Sequence, residues 1–408
     1  MLAAQDATGY DLWIGDVEVT SANASNVTGD GISGKVSFDA ATRTLTLSNA
    51  KISGSKVTYQ DGGGAYGQYG GTYYYYGILD ESGNDLTVKL VGTNNLKQVD
   101  GSAGDFRHVY GISASADLTF AGSGSLSVIN DCTDQNTGID CGVFTVDSAA
   151  SVKVTSTSSS YNDSNGLEVG KATIKGSLDV SAHAGTQRAT ALSSFKDVTV
   201  AKGGRLTAKA DHGNYGMDAI VVRNDNRLVI DGYVQAESGE WGITCGAIVV
   251  GSTGELDVTG GDRALGPSTS VMLGSSKLKV MSWKEEISVS DIGMQQNIHI
   301  FMAKEANPMT VKAKAVEFYA SDVKKADQTV KASKVFTVKK SQGKVTYKVS
   351  KYVTKKAKGK VSVAKSGKVT VKKGTPKGTY QLKVKVTAAG NAKYAKKSKA
   401  VGLTVTVK

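Results

Sequence analysis

Gly138-Ile139-Asp140-Cys141-Gly142-Val143-Phe144-Thr145-Val146 and Gly242-Ile243-Thr244-Cys245-Gly246-Ala247-Ile248-Val249-Val250 repeat one phrase at two distant places in the chain. Each is followed by a small polar turn and a further apolar pair, Val152-x-Val154 in the first and Leu256-x-Val258 in the second. Working outward, the same three-part phrase recurs with three apolar anchors. The first anchor falls at Ile78, Ile112, Ile139, Leu167, Leu192, Ile220, Ile243 and Leu265. The second falls at Leu86, Leu118, Phe144, Ala172, Val198, Leu228, Ile248 and Val271. The third falls at Leu96, Leu126, Val152, Leu178, Leu206, Val234, Leu256 and Leu278. Val36-Ser37-Phe38 with Leu45-Thr46-Leu47 makes a ninth, more degenerate copy.

Each copy therefore holds three short alternating strands joined by tight turns. One unit cannot bury its apolar face alone, whereas stacked units place each anchor over its equivalent in the next. The pattern predicts an all-β chain whose residues 30–303 form a parallel β-helix of eight or nine coils, including a C-terminal closure. The general handedness of parallel crossovers makes it right-handed. Both ends of such a stack need covering, because they expose core and unpaired strand edges. Residues 1–29 are the N-terminal cap: residues 10–19 read as a hairpin turning at Gly15-Asp16, and 21–27 as one or two helical turns capped by Ser21. Residues 283–302 close the other end.

Composition agrees with many strands and turns: 48 glycines stand against 3 prolines. The net charge of +12 is split. Residues 304–408 carry 28 lysines, no arginine and four acids, so 28 − 4 = +24; the remainder holds 21 basic and 33 acidic groups, so 21 − 33 = −12. Opposite signs in the two parts place a domain boundary near Asn307-Pro308. In 304–408 apolar residues alternate with lysine, as in Tyr380-Gln381-Leu382-Lys383-Val384-Lys385-Val386, and seven or eight short strands suit an antiparallel immunoglobulin-like sandwich. The lysines are either a solvated outer face or a means of holding anionic cell-wall polymers. Nucleic acid is not expected, because arginine and aromatic platforms are lacking there. No apolar run approaches the roughly 18 residues of a membrane span.

Cys141 and Cys245 hold equivalent positions four coils apart, about 19 Å at the strand spacing of about 4.8 Å, and cannot pair. Cys132 and Cys141 are the candidate disulfide; three buried thiols are the alternative.

At the chain's two ends, Tyr10-Asp11-Leu12-Trp13-Ile14-Gly15 with Thr44-Leu45-Thr46-Leu47-Ser48-Asn49-Ala50, and Asn307-Pro308-Met309-Thr310 with Ala388-Ala389-Gly390-Asn391, resemble secreted surface proteins of gut Firmicutes. Those proteins carry a carbohydrate-binding-type β-helix and a bacterial immunoglobulin-like domain. The resemblance implies secretion and display at the cell surface.

β-Helices also host polysaccharide lyases and glycoside hydrolases, whose chemistry requires particular constellations of side chains. Hydrolysis needs convergent carboxylates. Asp211-His212-Gly213 is similar to a polygalacturonase fragment, but the companion segments are missing and the stretch reads as a turn. Arg223 and Arg227 flank Asn224-Asp225-Asn226; with Asp218 and Asp231 they form the candidate calcium or lyase site, although such a string is also an ordinary turn. The four histidines show no metal-ligand spacing.

The remaining signal is the tyrosine-rich stretch of residues 62–77. It interrupts the repeat and is predicted to be an exposed excursion whose Tyr66, Tyr69, Tyr73, Tyr74, Tyr75 and Tyr76 stack on sugar rings; rings packed along the flank are the alternative. The expected function is recognition of a neutral or basic glycan, or a host glycoprotein, by an adhesion protein. A lyase or hydrolase, and a structural surface spacer, are the alternatives.

Overall fold

The structure, a computed structural model, describes residues 7–60, 71–99, 107–133, 135–159, 163–211, 216–391 and 393–408. Two compact units divide the chain, Met1–Met302 and Ala303–Lys408. The first is all-β and is built on one large, mostly parallel, 29-stranded sheet.

Three ladders of parallel strands account for that sheet. In the first, Thr72–Asp80, Arg107–Ala114 and Gln135–Val146 are followed by five more strands down to Arg263–Leu265, and all eight first anchors lie in one register. The second ladder runs from Thr44–Ile52 to Ser270–Leu273 and carries the eight second anchors in register. Phe120 and Phe144 meet inside it at 5.6 Å. In the third ladder, six anchors from Leu126 to Leu256 are aligned. Such alignment places like apolar side chains over one another, and these anchors are almost wholly buried except Val271, at the end of the second ladder, which is partly buried.

The register departs from expectation at both ends of the third ladder. Leu96 lies opposite Val128, and it is the buried Asn94 that faces Leu126. Asn94 fits there because its side chain accepts from the Ala50 N–H and donates to the Ser125 carbonyl. Leu278 leaves the parallel stack altogether. Asn297–Met302 inserts antiparallel between Glu255–Gly260 and Leu278–Ser282, which covers the edge where the third ladder ends.

The N-terminal cover is a double hairpin. Gly9–Ile14 and Val17–Thr20 pair antiparallel around Gly15, whose φ of 59° suits the turn, and Leu12 to Ile14 then lie antiparallel on Ile78 to Asp80. Residues 21–26 form turns and not a helix. The Asn23 side chain accepts from the Thr20 N–H and donates to the Glu18 carbonyl, a local bonding that competes with helix formation; the Ser21 hydroxyl accepts from Thr8 instead of capping. The ninth copy of the repeat is also part of the cover: Ile32–Asp39 folds back antiparallel on Thr44–Ile52 and only the latter joins the parallel ladders. Arg43, between them, holds both oxygens of the buried Asp80 at 2.7 Å.

In the second unit nine strands form a four-stranded, a three-stranded and a two-stranded sheet among the described residues, with two short helices, Ala320–Lys325 and Ala332–Val335, that alternation alone did not signal. Gly378–Ala388 shows the strand period cleanly: Leu382, Val384 and Val386 are buried, and Lys383 and Lys385 are exposed.

Candidate ligand-binding face of the first ladder

The strand period decides which tyrosines share a face. Tyr73, Tyr74, Tyr75 and Tyr76 are not in an excursion. They lie in Thr72–Asp80, which pairs antiparallel with Lys56–Gln60 and parallel with Arg107–Ala114. The β-propensity of aromatic residues next to an open ladder edge outweighs the glycine-rich context that suggested a loop. Tyr66 and Tyr69 lie outside the described residues.

Alternation puts Tyr74 and Tyr76 on one face, where the next strand adds His108 and Tyr110. Ring centroids are 5.2 Å apart for Tyr74 and His108 and 5.2 Å for Tyr76 and Tyr110; the latter planes differ by 18°. Tyr73 packs instead on Tyr59 at 4.8 Å. Burial, and after it the nearby Asp140, pushes the Tyr110 phenol above its ordinary range.

Beyond the rings the same face turns polar. Asp140, directly after the anchor Ile139, is register-paired with Glu168 on the next strand. Burial, reinforced by the Glu168 charge, raises its carboxyl to about 6. Glu168 accepts from Arg223 at 3.4 Å, and Arg223 also reaches Ser193 and lies 4.4 Å over the Phe195 ring. A cleft of about 490 Å³ follows, bordered by Asn165, Thr190, Asp218, Glu240 and Trp241. Asp218 sits in register between Thr190 and Trp241. Its carboxyl is also raised to about 6, by burial first; Thr244 donates a hydrogen bond to it, and Glu240 and Arg188 act in opposite directions. The face thus offers flat apolar rings at one end, Trp241 at the other, and amides, hydroxyls and carboxylates between them.

No family model matches the sequence, and no curated protein matches it. The reading of this face therefore rests on its own chemistry.

Several expected sites are not assembled. Asp225 lies in the turn before Arg227–Ile230 and Asp231 directly after it, so an extended strand of roughly 13 Å separates them; Asp218 belongs to the preceding strand. These three cannot share one calcium ion, and no cluster of three candidate ligands occurs among the described residues. Arg227 is bound to Asp197 at 2.8 Å and Arg223 to Glu168. Asp211 accepts from His183 at 2.8 Å, and His212 lies outside the described residues. Cys132, Cys141 and Cys245 are all buried thiols. The Cys132–Cys141 bridge is not formed: Cys132 ends a third-ladder strand, while Cys141 lies past the anchor Ile139 in the first ladder.

Sequence reading missed Tyr110, Asp140, Glu168 and Trp241. A usable signal existed: superposing the repeats on their first anchors puts Asp140 over Glu168 and Asp218 over Trp241.

Proposed function

We propose that this chain is a secreted, cell-surface glycan-binding protein. In this reading the first unit is a right-handed parallel β-helix and the second a bacterial immunoglobulin-like domain. The observation that carries the reading is the unbroken passage from the Tyr74, Tyr76, His108 and Tyr110 rings into the polar cleft. Sugar rings present apolar faces and hydroxyl edges, and this face pairs stacking surfaces with bonding groups in the same way. In-register ladders support the β-helix, since a rigid stack keeps successive subsites in line. The acidic balance of this unit favours a neutral or basic glycan, free or on a host glycoprotein, over a polyanion. No helix among the described residues is long and apolar enough to cross a membrane.

A glycan array probed with the full chain tests this. Binding of neutral or amino-sugar glycans that is lost in Tyr76→Ala and Tyr110→Ala supports it; an array with no hits above background rejects it.

One observation favours a second reading, glycoside hydrolysis. Asp140 and Glu168 are adjacent carboxylates in different environments, one desolvated and one ion-paired, as an acid and its partner require. Release of reducing ends from an array hit, abolished by Asp140→Asn, would establish it. A lyase is disfavoured because Arg223 and Arg227 are both tied to carboxylates.

A further inference from the structure

The outward face of the four-stranded sheet in the second unit sets lysine directly opposite lysine. Lys348 is register-paired with Lys385, and Lys351 with Lys383; all four are exposed. Like charges at directly opposed positions destabilise an antiparallel pair. On the other side of the central strand the rows continue into small residues: Lys385 is paired with Ala400, Lys383 with Gly402, and Thr387 with Ser398, hydroxyls 2.8 Å apart. A Cβ built on Gly402 would meet open space. The face is therefore a shallow lane bordered by positive charge. Lys348 and Lys385 also line a groove of about 510 Å³ with Lys365, Lys396 and Tyr347.

No carboxylate pairs with these lysines among the described residues. Of the acids of the unit, Glu317 shares this sheet but stands on its far edge strand, paired with Lys408; Glu305 is on Lys393, Asp327 on the Lys373 N–H, and Asp322 in the short helix Ala320–Lys325. The fold itself gains nothing from opposed lysines, and an anion from outside that lies along the face relieves their repulsion. Lysine binds phosphate as a point charge with freely turning donors, which suits a repeating anion without a fixed orientation, whereas the planar arginine fork fixes the geometry of carboxylate and phosphate alike. The unit holds no arginine. Tyr347 packs on Phe336 at 4.9 Å, and nucleic-acid sites need a run of open rings.

We infer that this face is a binding site for a linear phosphodiester polyanion without bases, a polymer such as poly(glycerol phosphate). It is separate from the glycan face of the first unit and does not depend on that reading. The test is calorimetric titration of the full chain with poly(glycerol phosphate) at about 50 mM and about 0.5 M salt. Two fourfold variants with the same charge change are compared: Lys348→Gln, Lys365→Gln, Lys385→Gln and Lys396→Gln on the face, and Lys324→Gln, Lys325→Gln, Lys355→Gln and Lys358→Gln away from it. The face variant should bind at least about tenfold more weakly and melt no lower than the wild type, because repulsion is removed; the control should stay within about twofold. Equal losses in the two variants, no binding by the wild type, or equally tight binding of single-stranded DNA would each overturn the inference.

Discussion

Tyr76 and Tyr110 occupy register-paired positions on neighbouring parallel strands, with ring centroids 5.2 Å apart and planes 18° from parallel. Parallel pairing without a register shift produces this: residues at equal distances from Ile78 and Ile112 project from the same face one strand apart. The pair is a two-ring platform held by the ladder and not by a loop.

Truncating either ring should remove a stacking surface worth about 0.5–1.5 kcal/mol, together with its buried area. Tyr76→Ala and Tyr110→Ala should each weaken glycan binding by about tenfold in calorimetry. Tyr73→Ala, whose ring packs on Tyr59, should leave affinity within about twofold. Equal losses at Tyr73 and Tyr76 would move the site off this face.

Asp140 and Asp218 give the first unit a definite pH response. Each keeps its proton to about 6 in the folded chain, against an ordinary carboxylate value of 3.8. Between those values the native state binds more protons than the unfolded one, so their contribution to stability falls as pH rises and is fully lost above about 6. Asp211 acts in the opposite sense: burial is outweighed by bonds from His183 and Lys209, its carboxyl is lowered, and its contribution is lost as pH falls. Difference curves isolate the first pair. Asp140→Asn should match the wild type near pH 4 and be more stable near pH 7, by about 1 kcal/mol after allowance for partial exposure. A difference that shrinks with rising pH would contradict the desolvated carboxyl.

Register predicts where the core tolerates no change. Leu126 and Leu206 are buried anchors of the third ladder, and either Leu→Ala change should cost about 2–5 kcal/mol in urea unfolding. Gly138→Ala is the sharper probe. A Cβ there would lie 2.2 Å from the Val154 Cγ1 and 2.5 Å from the Gly166 carbonyl oxygen, so a substitution that usually helps a strand should here cost more than about 1 kcal/mol. A neutral Gly138→Ala would mean that the ladders pack less closely.

The cysteines should be silent in the native state. Burial pushes the Cys245 thiol up to about 12 and Cys141 further, so neither supplies thiolate at neutral pH. A thiol-specific dye should react negligibly with the folded chain and with three groups in denaturant without reductant. One group instead of three would establish the disulfide.

The two anchor series from Ile78 to Leu265 and from Leu86 to Val271 were legible because burial in stacked parallel strands favours an apolar residue at each equivalent position, and that demand is written as a repeat. The end structures were not. Val36-Ser37-Phe38 satisfies the same apolar pattern in an antiparallel hairpin as in a coil, and Leu278 satisfies it on either side of an inserted strand. Pattern reports which face is buried and is blind to the direction of the partner.

The strand period, the register of the first two ladders and the opposite charges of the two units were legible in the sequence, because these follow from local alternation, repetition and composition. It took the folded structure to show that the tyrosine run is a ladder strand, that burial raises the Asp140 carboxyl beside Glu168, that Arg223 reaches Glu168, and that Lys348 faces Lys385. Those pairs join residues from different strands, and the field, burial and spacing that give them chemistry exist only once the strands lie side by side.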